Sequence, residues 1–295
     1  SMKNTETSTG YDILSSHQII YLSAAINTMN DEVLKLMLDN PPEILDYTTR
    51  KQTRDKLSSS EYRVTASIML SGKGFDPIGF YADENNFVPF SGKLYSDSSG
   101  TDRPTIELDI DTASENVGLF GMIAGINKPV EIENLIFTGN VKTSSYGAGI
   151  IAGCISAPGQ KNNYGVKVSN VDSSAHITST SGGDSYAGGL FGWGDFTSVD
   201  TTIHPQIEFN DINMTGTVTA YGSYGGGLVG YLCGQSQAVA SNQLNISLNT
   251  IRQNGTVESG PSSGGIIGGL FGAITCQDGD VDNANSVAEL KAASR

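Results

Sequence analysis

A short apolar motif bounded by glycine or alanine recurs five times from residue 118 onward. The copies occupy residues 118–121, 149–152, 189–192, 227–230 and 269–272, and they read Gly-Leu-Phe-Gly or a close variant. Their first residues lie 31, 40, 38 and 42 positions apart. Recurrence at a period of roughly 30 to 40 residues predicts a repeat architecture in which each copy forms one structural unit.

A second pattern of ten positions, here numbered as columns one to ten, follows each motif. Column one holds Ile132, Val168, Phe209, Leu248 and Val281. Column four is apolar, column ten is apolar, and column eight is always glycine or alanine. Columns four, eight and ten share the two-residue period of one strand face, whereas column one has the opposite parity. A corner between columns one and four would turn all of them to the same side.

Column three is the predicted site of this corner. It holds Asn134, Asn170, Asp211, Thr250 and Asn283. Asparagine and aspartate tolerate the left-handed backbone that a one-residue corner requires. Each repeat is therefore expected to give three short strands: one in the motif, one at column one and one from column four to column ten.

Stacking such repeats predicts an all-β fold, a parallel, right-handed β-helix whose apolar columns fill the interior. The small residues of column eight indicate a place where the opposite wall of the solenoid comes close. A helical alternative is disfavoured because apolar residues recur every two positions, and glycine, serine, threonine and asparagine dominate the repeats.

Three regions are expected along the chain. Residues 1–12 are polar and predict a disordered tail. Residues 13–60 predict a capping helix followed by a loop. Residues 61–295 predict the solenoid, with its five repeats beginning at residue 117.

Apolar residues spaced three and four apart predict an amphipathic helix from Ser16 to about Asp39, which Pro41 ends. Residues 43–60 predict a loop or a short helix. The helix is expected to cover the N-terminal end of the solenoid, where unpaired strands and apolar columns would otherwise meet water. Binding of a partner by this helix is the alternative.

The net charge of the chain disfavours two classes of binding partner. The 295-residue chain carries 17 basic and 31 acidic side chains, a formal net charge of −14. Negative charge of this size disfavours binding to nucleic acid and to anionic membrane surfaces. No window of the sequence is long and apolar enough to span a bilayer.

An ordered set of short motifs precedes and includes the first repeat. It comprises Tyr62-x-Val64, Pro77-Ile78-Gly79, Pro89-Phe90-Ser91-Gly92, Ile106-x-Leu108, residues 118–121 and Ile132-x-Asn134-Leu135. In this order the motifs resemble the GLUG-repeat β-helices of bacterial surface proteins, including the non-catalytic N-terminal region of immunoglobulin-A-cleaving metallopeptidases. The resemblance covers roughly Ser16 to Leu290. It implies an exported protein with an adhesive or spacer role, and it does not imply catalysis.

The histidines do not provide a catalytic pattern. A zinc metallopeptidase needs the sequence His-Glu-x-x-His, which places two ligands on one helical face. The histidines of this chain, His17, His176 and His204, all lie outside such a motif. The sequence therefore predicts no catalytic residues, no metal ligands and no cofactor.

Two carboxylates keep a polysaccharide-cleaving enzyme as an alternative, because such enzymes also use β-helices. Glu131 and Glu208 directly precede column one in the first and third copies. Two rungs of about 4.8 Å would place them roughly 10 Å apart, near the upper limit for an inverting glycosidase. Lys167 lies between them, which favours a solvated outer face instead.

The cysteines and one acidic segment are each open to a second interpretation. Cys154, Cys233 and Cys276 follow the motif glycines by five, six and seven residues. Cys233 and Cys276 lie in neighbouring copies, but their different offsets favour free, largely buried thiols over a disulfide. The segment from Asp278 to Glu289 imitates a calcium loop, yet it lacks the central glycine and the repeat pattern assigns it to a strand.

Three tyrosines are the candidate ligand-binding residues. Tyr146, Tyr186 and Tyr224 each precede a motif by three positions, so stacked repeats should align them as a ladder. Flat rings suit contacts with sugar faces and with peptides. Stabilisation of the sheet by stacking along one face is the alternative role.

Together these patterns predict a non-catalytic, extracellular or cell-surface β-solenoid module with an adhesin or spacer role. The expected partner is an unidentified glycan or protein on a host or bacterial surface, with no nucleic acid and no insertion into a membrane. Further domains of the same native chain are expected. The alternatives are an accessory domain of a larger exported protease and a polysaccharide-cleaving β-helix enzyme.

Overall fold

The computed structural model describes residues 2–8, 10–235, 244–260, 262–272, 274–278 and 289–292. The repeats stack as a parallel β-solenoid of about five turns, as the column pattern predicts. The helices are α1 (Ser16–Thr28), α2 (Asp31–Lys35) and α3 (Tyr47–Ser59), and short 3-10 turns cover Met2–Thr5 and Gly100–Asp102.

The strands run in order along the chain and build the turns one after another. Before the repeats lie β1 (Gly10–Ile13), β2 (Glu61–Val64), β3 (Ile68–Met69), β4 (Phe80–Asp83), β5 (Asn86–Val88), β6 (Lys93–Tyr95) and β7 (Thr105–Thr112). The first three copies add β8 (Phe120–Met122), β9 (Val130–Thr143), β10 (Ala152–Ser156), β11 (Gly165–Ser173), β12 (His176–Ser179), β13 (Tyr186–Gly188), β14 (Phe191–Asp195), β15 (Gln206–Met214) and β16 (Thr217–Ala220). The last two add β17 (Tyr224–Gly226), β18 (Val229–Cys233), β19 (Leu244–Gln253), β20 (Thr256–Ser259), β21 (Ser262–Gly264), β22 (Ile267–Phe271), β23 (Ile274–Asp278) and β24 (Glu289–Ala292).

Three walls enclose the interior. The first wall stacks β1, β2, β6, β9, β11, β15, β19 and β23. The second wall stacks β3, β7, β9, β12, β16, β20 and β24. The third wall carries the glycine-flanked motifs in β8, β10, β14, β18 and β22, beside a short strip of β13, β17 and β21. All these pairs are parallel, whereas β4 and β5 form an antiparallel hairpin.

The corner predicted at column three is confirmed. Asn134, Asn170, Asp211 and Thr250 have positive φ angles between 53° and 59°. The pairing of neighbouring rungs skips these residues. Columns one and four are consequently both buried, although their parity differs. The two columns belong to one strand that bends at the corner, rather than to two separate strands as predicted.

Column eight is small for a different reason from the one predicted. A Cβ atom added to Gly216 would lie 1.8 Å from the carbonyl oxygen of Ala175, and one added to Gly255 would lie 1.9 Å from that of Gly216. These carbonyls belong to the preceding rung of the same wall. The limit on side-chain size is therefore set by the backbone stacked beside column eight, and the approach of the opposite wall is not needed to explain it.

The fifth copy keeps the predicted register at column ten, where Leu290 pairs with Val257, but it differs at the motif and at column one. Val229 of the fourth motif pairs with Ile267, so residues 265–268 occupy the motif position instead of residues 269–272. Similarly, Leu248 in column one pairs with Asp278, and Val281 lies outside the described residues. Both tetrapeptides have apolar pairs between glycines. The choice is made by β21, which pairs with β17 immediately before the motif.

The N-terminal tail is more ordered than predicted. Residues 10–12, expected to be disordered, belong to β1, which extends the first wall by pairing with β2. The side chain of Tyr11 is buried there and stacks on Tyr62 with ring centroids 5.5 Å apart. Burial of an aromatic side chain stabilises this edge strand, which the polar composition of the tail concealed.

The predicted single helix is two helices. Met29 adopts a left-handed backbone with φ of 48°, which ends α1. Asn30 then caps α2, since its side chain accepts a hydrogen bond from the Val33 amide at 3.0 Å. The segment expected to be a loop or short helix contains α3, a helix of 13 residues.

Helix α1 covers the N-terminal end of the solenoid, as predicted. Its buried apolar residues join the same hydrophobic core as the strands. Asn27 holds it in place by donating to the Pro77 carbonyl at 2.7 Å and accepting from the Gly79 amide at 2.8 Å. No helix in the described part of the chain is long and apolar enough to cross a membrane.

The backbone limit at column eight predicts the effect of a single methyl group. Because the Cβ of Gly216→Ala would overlap a neighbouring carbonyl, this variant should lose roughly 1–3 kcal/mol of unfolding free energy. Thr215→Val, at the adjacent exposed position, should change it by no more than about 0.5 kcal/mol. Urea denaturation compares the two variants. Equal midpoints would contradict the proposed close approach of neighbouring rungs.

The corner predicts a stabilising substitution. Thr250 is β-branched and strained at φ of 56°, where asparagine is tolerated better. Thr250→Asn should therefore raise the unfolding free energy by up to about 1 kcal/mol. Thr178→Asn, within the extended strand β12, serves as the control and should be neutral or destabilising. A thermal melt in which both variants lose stability would argue against relief of strain at the corner.

Candidate functional site

A stripe of aromatic side chains runs beside the third wall across several rungs. We define this aromatic stripe by its seven members, Tyr81, Tyr146, Tyr186, Trp193, Tyr224, Tyr231 and Phe271. Neighbouring rings have centroids 5.0 to 6.1 Å apart. Most of the tyrosines are half-buried, Trp193 is buried and Phe271 is 44% exposed. The stripe therefore combines half-exposed tyrosine rings with a buried tryptophan.

The predicted tyrosine ladder forms the centre of this stripe. Tyr186 and Tyr224 are direct register partners, and their rings stack at 6.0 Å. Tyr146 contacts Tyr186 edge-on at 5.9 Å. It is displaced by one residue, because Ala148 is the register partner of Ala187. The structure thus brings the three predicted residues together, with two in register and one beside them.

Sequence reasoning missed the other four members. Trp193 and Tyr231 are register partners that each follow the last glycine of a motif. Each lies four residues after the first glycine of its motif, so the motif alignment already contained the signal for this pair. In the second copy the register differs, because Phe120 pairs with Ala152 and not with Ile151 as the motif alignment required. Tyr81 and Phe271 have no such signal, because they reach the stripe from a hairpin and from the fifth turn.

Trp193 fixes the base of the stripe. It belongs to a second buried cluster, separate from the main core, with Met122, Cys154 and Ala157. Its indole Nε1–H donates to the Asn116 Oδ1 atom at 2.6 Å. A hydrogen-bonded indole under packed rings leaves few rotamers open, so the stripe is held in one arrangement before any partner arrives.

The hydroxyls of Tyr146 and Tyr186 remain protonated at neutral pH. Burial raises the pKa of Tyr186 to about 12, and the carboxylate of Asp184 adds to this shift. Burial also raises the pKa of Tyr146, with a further contribution from a hydrogen bond to Glu115. The phenol of Tyr186 can therefore act as a hydrogen-bond donor to a ligand, whereas that of Tyr146 is engaged with Glu115.

Carboxylates surround the stripe. They are Asp83, Glu84, Glu115, Asp184 and Asp195, of which all but Asp195 are exposed. Within the described residues none of these five takes part in a salt bridge, although 14 such contacts occur elsewhere. Asp195 lies close enough to Tyr186 and Tyr231 to contribute to the raised pKa of each. The potential over the stripe is consequently negative.

The glutamates considered for glycoside cleavage lie on the first wall, in an alternating ladder of charge. Lys93, Glu131, Lys167 and Glu208 are consecutive register partners. The Lys93 Nζ atom is 3.1 Å from Glu131, and the Lys167 Nζ atom is 3.7 Å from Glu208. Each candidate carboxylate thus lies within ion-pair distance of a lysine, and Lys167 lies between the two in the ladder.

The remaining candidates do not converge on a site. Among the described residues no three histidine, cysteine or acidic side chains lie together as metal ligands would. Cys154 and Cys233 are free thiols, as predicted. The backbone of Cys276 pairs with Ile246 on the first wall, whereas Cys233 lies on the third. The interior of the suspected calcium loop, residues 279–288, lies outside the described residues.

Comparison with known proteins supports the architecture. No protein-family model and no curated protein matches the sequence. The fold is similar to a solved structure from Bacteroides ovatus that is described as a "putative immunoglobulin A1 protease", with a TM-score of 0.50 and 16% sequence identity. The similarity covers 93% of this chain and 79% of that chain. At this identity the likeness concerns the fold alone.

The raised pKa of Tyr186 predicts how stability depends on alkaline pH. Between the unfolded pKa of about 10 and the folded pKa of about 12, the native state retains a proton that the unfolded state has lost. The contribution of Tyr186 to stability is therefore complete below pH 10 and decreases as the pH rises through this window. Urea midpoints of Tyr186→Phe should fall less steeply in this range than those of the unaltered chain.

Tyr47→Phe is the matched control for this measurement, because Tyr47 is 60% exposed and lies outside the stripe. It should leave the steepness of the alkaline decrease unchanged. The same slope for both variants would show that Tyr186 does not titrate in a buried environment.

Proposed function

We propose that this chain is a non-catalytic β-solenoid module of an exported bacterial protein, and that the aromatic stripe is its binding surface. The observation that carries the proposal is a rigid, half-exposed cluster of seven aromatic side chains on one wall. Aromatic residues are enriched in the centres of protein interfaces, where they supply large contact areas at low entropic cost. The rest of the solenoid would act as a spacer that holds this surface at a set distance.

An adhesive or spacer role at the cell surface agrees with the order of motifs between residues 62 and 135, which resembles GLUG-repeat proteins. The strands form one continuous stack from β1 to β22. Each rung adds about 4.8 Å to the length of such a stack. A stack of this kind keeps its two ends apart, which is the mechanical requirement for a spacer.

A second candidate is an accessory domain of a larger exported protease. The fold similarity to the Bacteroides ovatus protein favours this candidate. The histidines of this chain lie outside a His-Glu-x-x-His motif. A zinc peptidase centre would therefore have to be contributed by another part of the native protein, with this chain presenting or positioning the substrate.

Purified chain should bind a protein or glycan surface without cleaving it. To test for cleavage, the chain is incubated with immunoglobulin A1 and analysed by electrophoresis, and it is incubated with a panel of polysaccharides and analysed by reducing-end assays. Binding is measured separately on glycan arrays and on immobilised immunoglobulin A1. We expect no new fragments in either assay. Cleavage of a polysaccharide that is abolished by Glu131→Gln or Glu208→Gln would overturn the non-catalytic proposal.

The role of the stripe is tested by a pair of triple variants. Replacing Tyr146, Tyr186 and Tyr224 by serine should reduce binding at least about ten-fold, because a few aromatic residues contribute most of the binding free energy of an interface. Replacing the same residues by phenylalanine keeps the rings and the packing on Trp193 and should retain most of the binding. Circular dichroism melts establish that both variants fold. Unchanged binding by a folded serine variant would remove the stripe as the binding surface.

A further inference from the structure

Acidic side chains beside the stripe differ from those elsewhere on the solenoid in their ion pairing. Elsewhere many carboxylates have cationic partners, as where Arg63 bridges Asp12 and Asp97 or where Lys93 bridges Glu131 and Glu133. The carboxylates around the stripe, defined above, have no ion-pair partner among the described residues. Because these carboxylates lack ion-pair partners in the described part of the chain, they leave a concentrated negative charge beside the aromatic stripe.

These carboxylates lie next to the rings of the stripe, and we call the border that they form the rim. Asp184 lies two residues before Tyr186, and Asp195 lies two residues after Trp193. Glu115 precedes Asn116, which holds the indole, and its side chain approaches the hydroxyl of Tyr146. The charges therefore flank the aromatic rings on the second and third rungs of the stripe.

Aromatic faces and carboxylates favour the same kind of ligand. The face of an aromatic ring is negative and attracts ammonium and guanidinium groups, most strongly when the guanidinium can stack on it. The aliphatic stems of lysine and arginine also cover apolar ring surface while their charged ends reach polar groups. A sugar carrying carboxylates would be repelled at this rim. A neutral sugar can donate hydroxyl hydrogen bonds to carboxylates, but only a cationic ligand also gains from their charge.

We propose that the aromatic stripe binds a segment of a protein partner that bears lysine or arginine side chains. This inference rests on the proposed binding function and names the chemistry of its ligand. Tyr146, Tyr186, Tyr224 and Phe271 lie on successive turns, so they span about 14 Å at about 4.8 Å per rung. An extended peptide of about five residues covers that length, and its alternate side chains would face the rings.

Fluorescence anisotropy with defined peptides tests the proposal. The probe is a fluorescein-labelled peptide of alternating glycine and arginine, and the same peptide with glutamate in place of arginine is its control. The arginine peptide should bind, and its affinity should fall as salt is raised from about 0.1 M to about 0.5 M, because screening shortens the reach of the carboxylates. No binding of the arginine peptide, or equal binding of both peptides, would overturn the inference.

Two charge-matched triple variants separate the rim from the overall negative charge. The rim variant preserves side-chain shape and carries Glu115→Gln, Asp184→Asn and Asp195→Asn. It should weaken binding of the arginine peptide by about ten-fold or more. Glu43→Gln, Asp102→Asn and Glu107→Gln remove the same charge at positions outside the stripe and should weaken it by less than about two-fold. Equal losses in both variants would show that net charge alone attracts the peptide.

The failure of this inference is distinguishable from the failure of the proposed function. Maltoheptaose, a neutral oligosaccharide, is added as a competitor and as a ligand in its own right. If it binds, and the serine triple variant abolishes that binding while the rim variant leaves it unchanged, the stripe is a glycan surface and the basic partner is excluded. If a folded serine triple variant binds the arginine peptide normally, the stripe itself is not the site and both proposals fail.

Discussion

The left-handed corner at column three is the constraint on which the solenoid depends. A strand alternates its side chains between two faces, so columns one and four could not both be buried on a straight strand. The positive φ angles of Asn134, Asn170, Asp211 and Thr250 absorb this change of parity in a single residue. Each corner lies inside a strand of the first wall, which continues beyond it, so that one strand keeps both columns in the continuous core.

Repetition of identical rungs imposes requirements of its own. Residues in one column are direct neighbours, so like charges would repel along the stack, and lysine and glutamate alternate from Lys93 to Glu208. Asparagines gain from the same proximity, since Asn170 donates to Asn134 and Asn249 donates to Asn210, each at 3.0 Å. The close approach of neighbouring backbones in turn excludes a side chain at Gly216.

The aromatic stripe shows how a repeat scaffold produces a local surface. Stacked copies place Tyr186 beside Tyr224 and Trp193 beside Tyr231 without any long-range chain reversal. Tyr81 then arrives from the β4–β5 hairpin and packs edge-on against Trp193 at 6.1 Å. A regular ladder and one added hairpin are sufficient to build a continuous aromatic surface, and carboxylates without an ion pair among the described residues lie beside it.

Periodicity along the chain is sufficient to predict the parallel solenoid, its buried columns, the corner residues and the tyrosine ladder. The choice between two glycine-flanked tetrapeptides for the fifth motif depends on tertiary contacts, because the pairing of Ser262 with Tyr224 places residues 265–268 beside the fourth motif. Tertiary contacts likewise decide the size limit at Gly216 and the inclusion of Tyr81 and Phe271 in the stripe. These features arise from contacts between backbones and side chains distant in sequence, and local patterns carry no record of such distances.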